Sequence, residues 1–407
     1  MANPPPPYDN ITGISRAAMK DNAQVTLAEY DGNARPGELV VDQITGIVYV
    51  GNALGDLTAV ATPGGATTWA LLSNKTGASG PTIIALGQNA GFDGQANAAV
   101  ALGQNAGAGG QSGAAIAIGL DAGGNTTQGI YAVAIGSGAG YDAQGAQSIA
   151  IGQGAGANTQ SSSAVAIGVE AGSNSQGTNS IAIGYQAGNS AQNVNAVAIG
   201  ILAGHAAQGS EAVAIGVQAG YNTQGTYSVA VGYLAGNSSQ GTQSVAFGKQ
   251  AGQTTQGAYS VAVGDSAGTT TQGIQSVAVG QRAGFSNQSP YAVAIGAYAG
   301  NSAQGERTVA VGYGAGIASQ GNSSIAIGNF AGNSSQGTYA IAIGSNAGDV
   351  NQANNSIILN ASGGSLNQTT ANTFTVKPVR NGGSSGLPAG FYQMAYNPTT
   401  GEIVYYT

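Results

Sequence analysis

From Ile84 onward the chain repeats short runs of the form V-A-V-G, separated by glycine and by Ser, Thr, Asn and Gln. Alternation with period two predicts a β-strand, because successive side chains of a strand point to opposite faces. Aligned on the last residue of [VI]-A-[VILF]-G, the glycine falls at 87, 103, 119, 136, 152, 168, 184, 200, 216, 232, 248, 264, 280, 296, 312, 328 and 344, seventeen copies at a period of sixteen. The one interval of seventeen, Gly119 to Gly136, is taken up by an added residue in the GGNTTQ stretch after Ala122, which marks that stretch as a turn. Sixteen residues are too few for a helical pair, so each copy reads as strand, turn, strand, turn. Stacking the copies in parallel pairs each strand with its equivalents above and below, which stabilises many turns where one alone would not hold. The predicted fold is all-β: a parallel β-solenoid (β-roll) of about 17 sixteen-residue coils, flanked by small β-rich terminal modules. At about 4.8 Å between stacked strands this is a rod of roughly 80 Å.

The columns of the repeat carry the finer expectations. Ala stands two before every repeat glycine, Ala-Gly stands three and four after it, and a Gln recurs from Gln95 to Gln352, followed by Gly in 11 of 17 copies. The repeat glycines, among them Gly136, Gly152, Gly168, Gly184, Gly200, Gly216 and Gly232, are read as corners where tight turns require φ values that a Cβ resists. The Gln column, including Gln144, Gln176, Gln208, Gln224 and Gln240, is read as a ladder of amides bonded from coil to coil, as in cross-β stacks, with a recognition stripe as the alternative. The branched residues flanking the Ala are assigned to the inner face and the Ala itself to the other. Such a coil buries little area at about 25 cal/mol per Å² against the ordering entropy of its backbone. An Ala face packed against neighbouring chains would help close the gap, so a homo-oligomer is expected, most simply a trimer.

Composition narrows the function. Charged residues are 6 percent, against about 25 percent in a typical domain, so Ser, Thr, Asn and Gln must cover most of the surface. With 42 percent apolar residues the chain does not have the make-up of a disordered one. A formal charge of −7 with nine basic residues spread along the chain offers no phosphate-binding patch, and no nucleic-acid partner is expected. There is no cysteine to form disulfides or thiolate metal sites. The start MANPPPPYDNITG lacks the pattern of a secretory signal, and no run of about 18 apolar residues predicts membrane insertion.

Titratable groups in the repeats (Asp93, Asp121, Asp142, Glu170, Glu211, Asp265, Glu306 and Asp349, with Lys249, Arg282 and Arg307) fall at variable positions. The sole histidine, His205, reads as a turn residue and completes neither a triad nor a metal cluster. No column is acidic, as repeated calcium sites would need. Catalytic residues, metal and cofactors are therefore expected to be none. Tyrosines are the stronger lead. Tyr185, Tyr233 and Tyr313 follow the repeat glycine, and Tyr131, Tyr227, Tyr259, Tyr291 and Tyr339 precede the next strand. Of these, Tyr227, Tyr259, Tyr291 and Tyr339 are candidate glycan contacts, with packing between chains of a bundle as the alternative.

The motif SVAVG, followed by small residues and a glycine turn, resembles the YadA-like head repeat of trimeric autotransporter adhesins over roughly residues 81 to 353. The resemblance implies a parallel β-roll of three chains. The period departs from it, the bacterial repeat being usually a residue or two shorter. The flank RPGELVVDQITGIVYVGN (Arg35 to Asn52) is similar to a small β-module of phage tail fibres, and NSIILNASGGSLNQ and YNPTTGEIVYY resemble segments near the C-terminal ends of viral fibre proteins. Such ends often precede a self-cleaving chaperone. The organisation expected is an attachment arm over 1–34, a β-module over 35–80, the solenoid shaft over 81–353 and a C-terminal β-rich cap or tip over 354–407. Alternation around Gln43 to Gly46 and around Pro398 to Gly401 predicts a hairpin in each flank.

These readings converge on a structural fibre protein of a phage virion, not an enzyme, assembled in the host cytoplasm. It would join other virion tail or baseplate proteins through its N-terminus and bind a host surface glycan or protein. A bacterial cell-surface adhesin or extracellular filament subunit is the alternative. An ice-binding solenoid is disfavoured because the residues before each Gln do not form a regular Thr array.

Overall fold

A computed structural model describes residues 84–379, together with the strands Leu39–Val41, Val48–Gly51, Leu57–Ala59, Gln393–Tyr396 and Ile403–Tyr406. The chain falls into two compact units, Met1–Tyr227 and Ser228–Thr407. Both are built on the parallel β-solenoid, and the described residues contain no helix.

In the first unit nine three-residue strands, from Ile84–Leu86 to Val213–Ile215, stack in parallel. In the second unit a wall of the same kind runs from Val229–Val231 through Ile341–Ile343. Register is strict: Val165, Ala166 and Ile167 lie opposite Ile181, Ala182 and Ile183. Every residue thus meets its own column, which is why the sequence repeats so closely. A second, thinner wall is made by the glutamine strands, such as Ala207–Gln208 on Thr223–Gln224 in the first unit and Ser302–Gln304 on Ala318–Gln320 in the second.

The interior reverses the face assignment made from the sequence. From Val100–Leu102 to Ile341–Ile343 each wall strand buries its central residue and leaves both neighbours partly or more exposed, as Val165, Ala166 and Ile167 do. Ala166 is 0% exposed, as are Ala164 before the strand and Ala171 after it, and the same columns are closed in coil after coil. The alanines are therefore the core of each single chain, not a face packed against neighbouring chains. The branched residues look outward. The cause is the separation of the walls: a Cβ placed on Gly172 would already lie 3.3 Å from the Ala166 methyl, so two tight turns leave space for little more than methyl groups.

The corners explain that narrowness. Gly136, Gly152, Gly168, Gly184, Gly200 and Gly216 in the first unit have φ between +127° and +130°, and Gly232 in the second has +129°. A Cβ on Gly168 would stand 2.5 Å from the carbonyl oxygen of Gly184, so the absent side chain also lets successive coils close to strand distance. At the opposite turn a buried hydroxyl closes the corner, as where Ser180 Oγ donates to the Gly177 carbonyl at 2.6 Å.

The stack continues beyond the last V-A-V-G copy. Ile357–Asn360 pairs in parallel with Ile341–Ile343, and Phe374–Lys377 pairs with it in turn. Here Ile358 takes the alanine position and is fully buried, and Asn360 takes the glycine position, donating through Nδ2 to the Ser345 and Gly364 carbonyls at 2.7 and 2.6 Å. The flanks form antiparallel hairpins, Leu39–Val41 on Val48–Gly51 and Gln393–Tyr396 on Ile403–Tyr406, with Leu57–Ala59 added to the first. The attachment arm at 1–34 lies outside the described residues.

Candidate functional site

The glutamines form a buried polar column of the interior, beside the hydroxyls such as Ser180 at the corner. Gln176 is 1% exposed, and its Nε2 donates to the Val165 carbonyl across the coil at 2.7 Å. The same brace recurs at Gln144 to Val133, Gln208 to Val197, Gln224 to Val213 and Gln240 to Val229, each at 2.7 Å. It satisfies a buried donor and ties the two walls together. Coil-to-coil amide bonds are also present but are less regular. From Gln95 to Gln160 each Nε2 reaches the next Oε1, as from Gln144 to Gln160 at 3.2 Å and from Gln160 to Gln176 at 3.0 Å. In the second unit the links are intermittent: Gln240 donates to Gln256 and Gln288 to Gln304, both at 3.1 Å, while the buried Oε1 atoms of Gln272 and Gln320 have no partner. The amide also fixes the Ala-Gly turn, since a Cβ on Gly172 would meet Gln176 Oε1 at 2.6 Å. Burial keeps this column from acting as a recognition stripe.

The outward columns are the surface on offer. On the long wall they hold only Val, Ile, Leu and Phe, half-buried or exposed, up to Phe247 at 55%. A β-sheet face of this composition, all apolar and uncovered within its own chain, is the mark of an interaction surface.

Around it lie the aromatics. Tyr227 in the first unit, and Tyr259, Tyr291 and Tyr339 in one column of the second, stand at the turn that leads into the wall strand, all exposed and all with left-handed backbone, φ between +58° and +61°. Within the second unit, Arg307 sits in the same column one coil beyond Tyr291, its guanidinium carbon over the Tyr291 ring at 5.4 Å from the ring centre, and it pairs with Glu306 at 2.8 Å. Tyr185, Tyr233 and Tyr313 are about half exposed at the corner after the repeat glycine. Tyr313 belongs to a cluster that sequence reasoning did not single out: its ring packs edge-on to Tyr298 and Phe330 at 5.9 and 5.3 Å. The sequence signal was Gly314, which stands where the other two coils have Tyr298 and Phe330; a Cβ there would meet the Phe330 ring at 2.7 Å.

The titratable groups are dispersed. His205 stacks on Tyr221 from the next coil, ring centres 4.9 Å apart and 14° from parallel, and burial lowers its pKa from 6.5. Among the described residues no three His, Asp or Glu side chains converge as a metal site would require, and no helix is long and apolar enough to cross a membrane.

Residues 162–187, 175–203, 207–235, 239–267 and 256–283 match the family described as YadA head domain repeat (2 copies). No curated protein and no solved structure matches the chain. The coils therefore include repeats of the YadA head type, and such repeats suggest an adhesin-like fibre.

Proposed function

We propose that the chain is a structural fibre protein of a phage virion, a tail fibre or similar appendage, that projects from the particle and holds it to the host surface without catalysis of its own. The observation that carries this reading is the uncovered aliphatic wall around a core that closes without it. Copies packed through that wall form a homo-oligomer, with a three-fold bundle the simplest closed arrangement. Function then rests on stiffness and on repetition: the braced coils hold outward side chains at fixed intervals, and identical chains multiply weak contacts. Attachment to tail or baseplate proteins falls to the N-terminal residues, and the receptor is a glycan or protein of the host surface.

A bacterial cell-surface adhesin or extracellular filament subunit is the second reading, favoured by the YadA head repeats themselves. Antibodies raised against residues 84–379 separate the two. Labelling of purified phage particles at their appendages is expected. Labelling confined to the envelope of uninfected cells would replace the virion assignment with the cellular one.

A further inference from the structure

The column that holds the exposed tyrosines works as a ruler. Along it in the second unit stand Tyr259, Gln275, Tyr291 and Arg307 in consecutive coils. Each is fixed by a backbone bond to the coil before: Tyr259 N to the Thr242 carbonyl at 2.9 Å, Gln275 N to Ala258 at 2.9 Å, Tyr291 N to Ile274 at 3.0 Å and Arg307 N to Pro290 at 3.2 Å. Consecutive positions are thus one strand spacing apart, and the two rings are two spacings apart, about 9.6 Å. Tyr259 and Tyr291 are 58% and 43% exposed, and Ile274, beside Gln275, is 45% exposed. The surface presents ring, amide, ring, guanidinium in a line, on a backbone that does not have to be ordered on binding.

We propose, resting on the adhesive reading above, that Tyr259 and Tyr291 form a track for an extended polysaccharide of equatorially linked pyranose units lying along the stacking direction. A pyranose ring in such a flat ribbon repeats at close to one strand spacing, so alternate sugars fall on the two tyrosines. Their C–H faces cover the Tyr259 ring and the face of Tyr291 that Arg307 does not occupy, as apolar groups do on aromatic faces. The sugar between them faces Gln275, whose amide both donates to and accepts from hydroxyls, and the next faces Arg307, whose N–H groups not engaged by Glu306 donate to its hydroxyls. A compact or kinked glycan cannot reach both rings. Tyr339 is three coils beyond Tyr291, out of the two-coil step, and takes no part.

The test uses the full chain in affinity electrophoresis through gels containing a soluble β-1,4-linked glucan, with α-1,6-linked dextran as the kinked control. Tyrosine is exchanged for asparagine, the residue this column carries at 179 and 195, where the backbone is equally left-handed. Retardation is expected in the β-linked gel only. Tyr259→Asn or Tyr291→Asn should each weaken it by roughly three- to tenfold, the worth of one aromatic contact, the double variant should abolish it, and Tyr339→Asn should leave it intact. No retardation of the wild-type chain, or equal loss on Tyr339→Asn, overturns the track. So does a fall in oligomer mass for Tyr291→Asn, which would place the rings between chains. Adsorption of labelled protein to host cells tells the two levels apart: adsorption that survives the double variant removes the track and keeps the adhesive function.

Discussion

Two columns one residue apart in the same strand meet opposite fates. Ala262 is fully enclosed, whereas Val261 and Val263 on either side of it remain partly open to solvent. In most sheets the larger apolar side chain lies inside. Here the tight corners hold the walls too close for a branched side chain, so the methyl group fills the chain's own core and the branched residues are left for another surface. The coil gains its order from strand pairing and the glutamine braces, while the aliphatic wall stays outside that core.

The largest effects are expected where the interior is enlarged. Gly248→Ala puts a Cβ 2.6 Å from the Gly264 carbonyl oxygen at φ +128°, and Ala262→Leu forces three extra carbons between the walls. Each should cost on the order of 3 kcal/mol and open the coil to limited proteolysis. Protease resistance equal to wild type would contradict the enclosed-alanine core.

Next comes the outer wall. A triple exchange of Val245, Val261 and Val277 for Asp should leave the circular dichroism spectrum of the β-structure nearly unchanged. Native mass by light scattering should drop from a multiple of the chain to a single chain. Unfolding instead would mean that these residues belong to the fold rather than to assembly.

Smaller effects sharpen the role of the glutamines. Gln160→Ala removes a brace to the Ile149 carbonyl and amide bonds to both neighbouring coils, whereas Gln272→Ala removes only the brace to Val261 and an Oε1 with no partner. Both should destabilise by about 1–3 kcal/mol, with Gln160→Ala the more costly in thermal melts. The reverse order would mean that coil-to-coil amide bonds contribute little.

The smallest effect concerns pH. Burial lowers the pKa of His205 in the folded chain, so the unfolded chain binds the proton more readily. The associated stability is present above 6.5 and declines as pH falls through the lowered folded-state value. Because the ring is only partly buried, the change is slight. Comparing melts of the wild type and His205→Asn from neutral to about pH 5 isolates it; identical pH slopes would remove the effect.

The period, the parallel stacking, the corner glycines and the hairpin at each flank were legible because each rests on local chemistry: alternation, turn-forming residues and self-similarity at sixteen. The direction each face points was not. Strand alternation separates Ala166 from Val165 and Ile167 but says nothing about which side is inside. The continuation through Ile358 was hidden for a related reason: neither alanine nor glycine remains at the marker positions, although backbone pairing still does. The aromatic groupings divide in the same way, since Tyr259 and Tyr291 share a column that counting reveals, while Tyr298, Tyr313 and Phe330 meet only because neighbouring coils lie over one another.

The sequence by itself determined that a sixteen-residue unit repeats, that its strands must stack on their own copies, and where the backbone turns. Only the tertiary structure decided which columns are enclosed, because that depends on the distance between two walls, a quantity set by both corners of the coil together and written in no single residue.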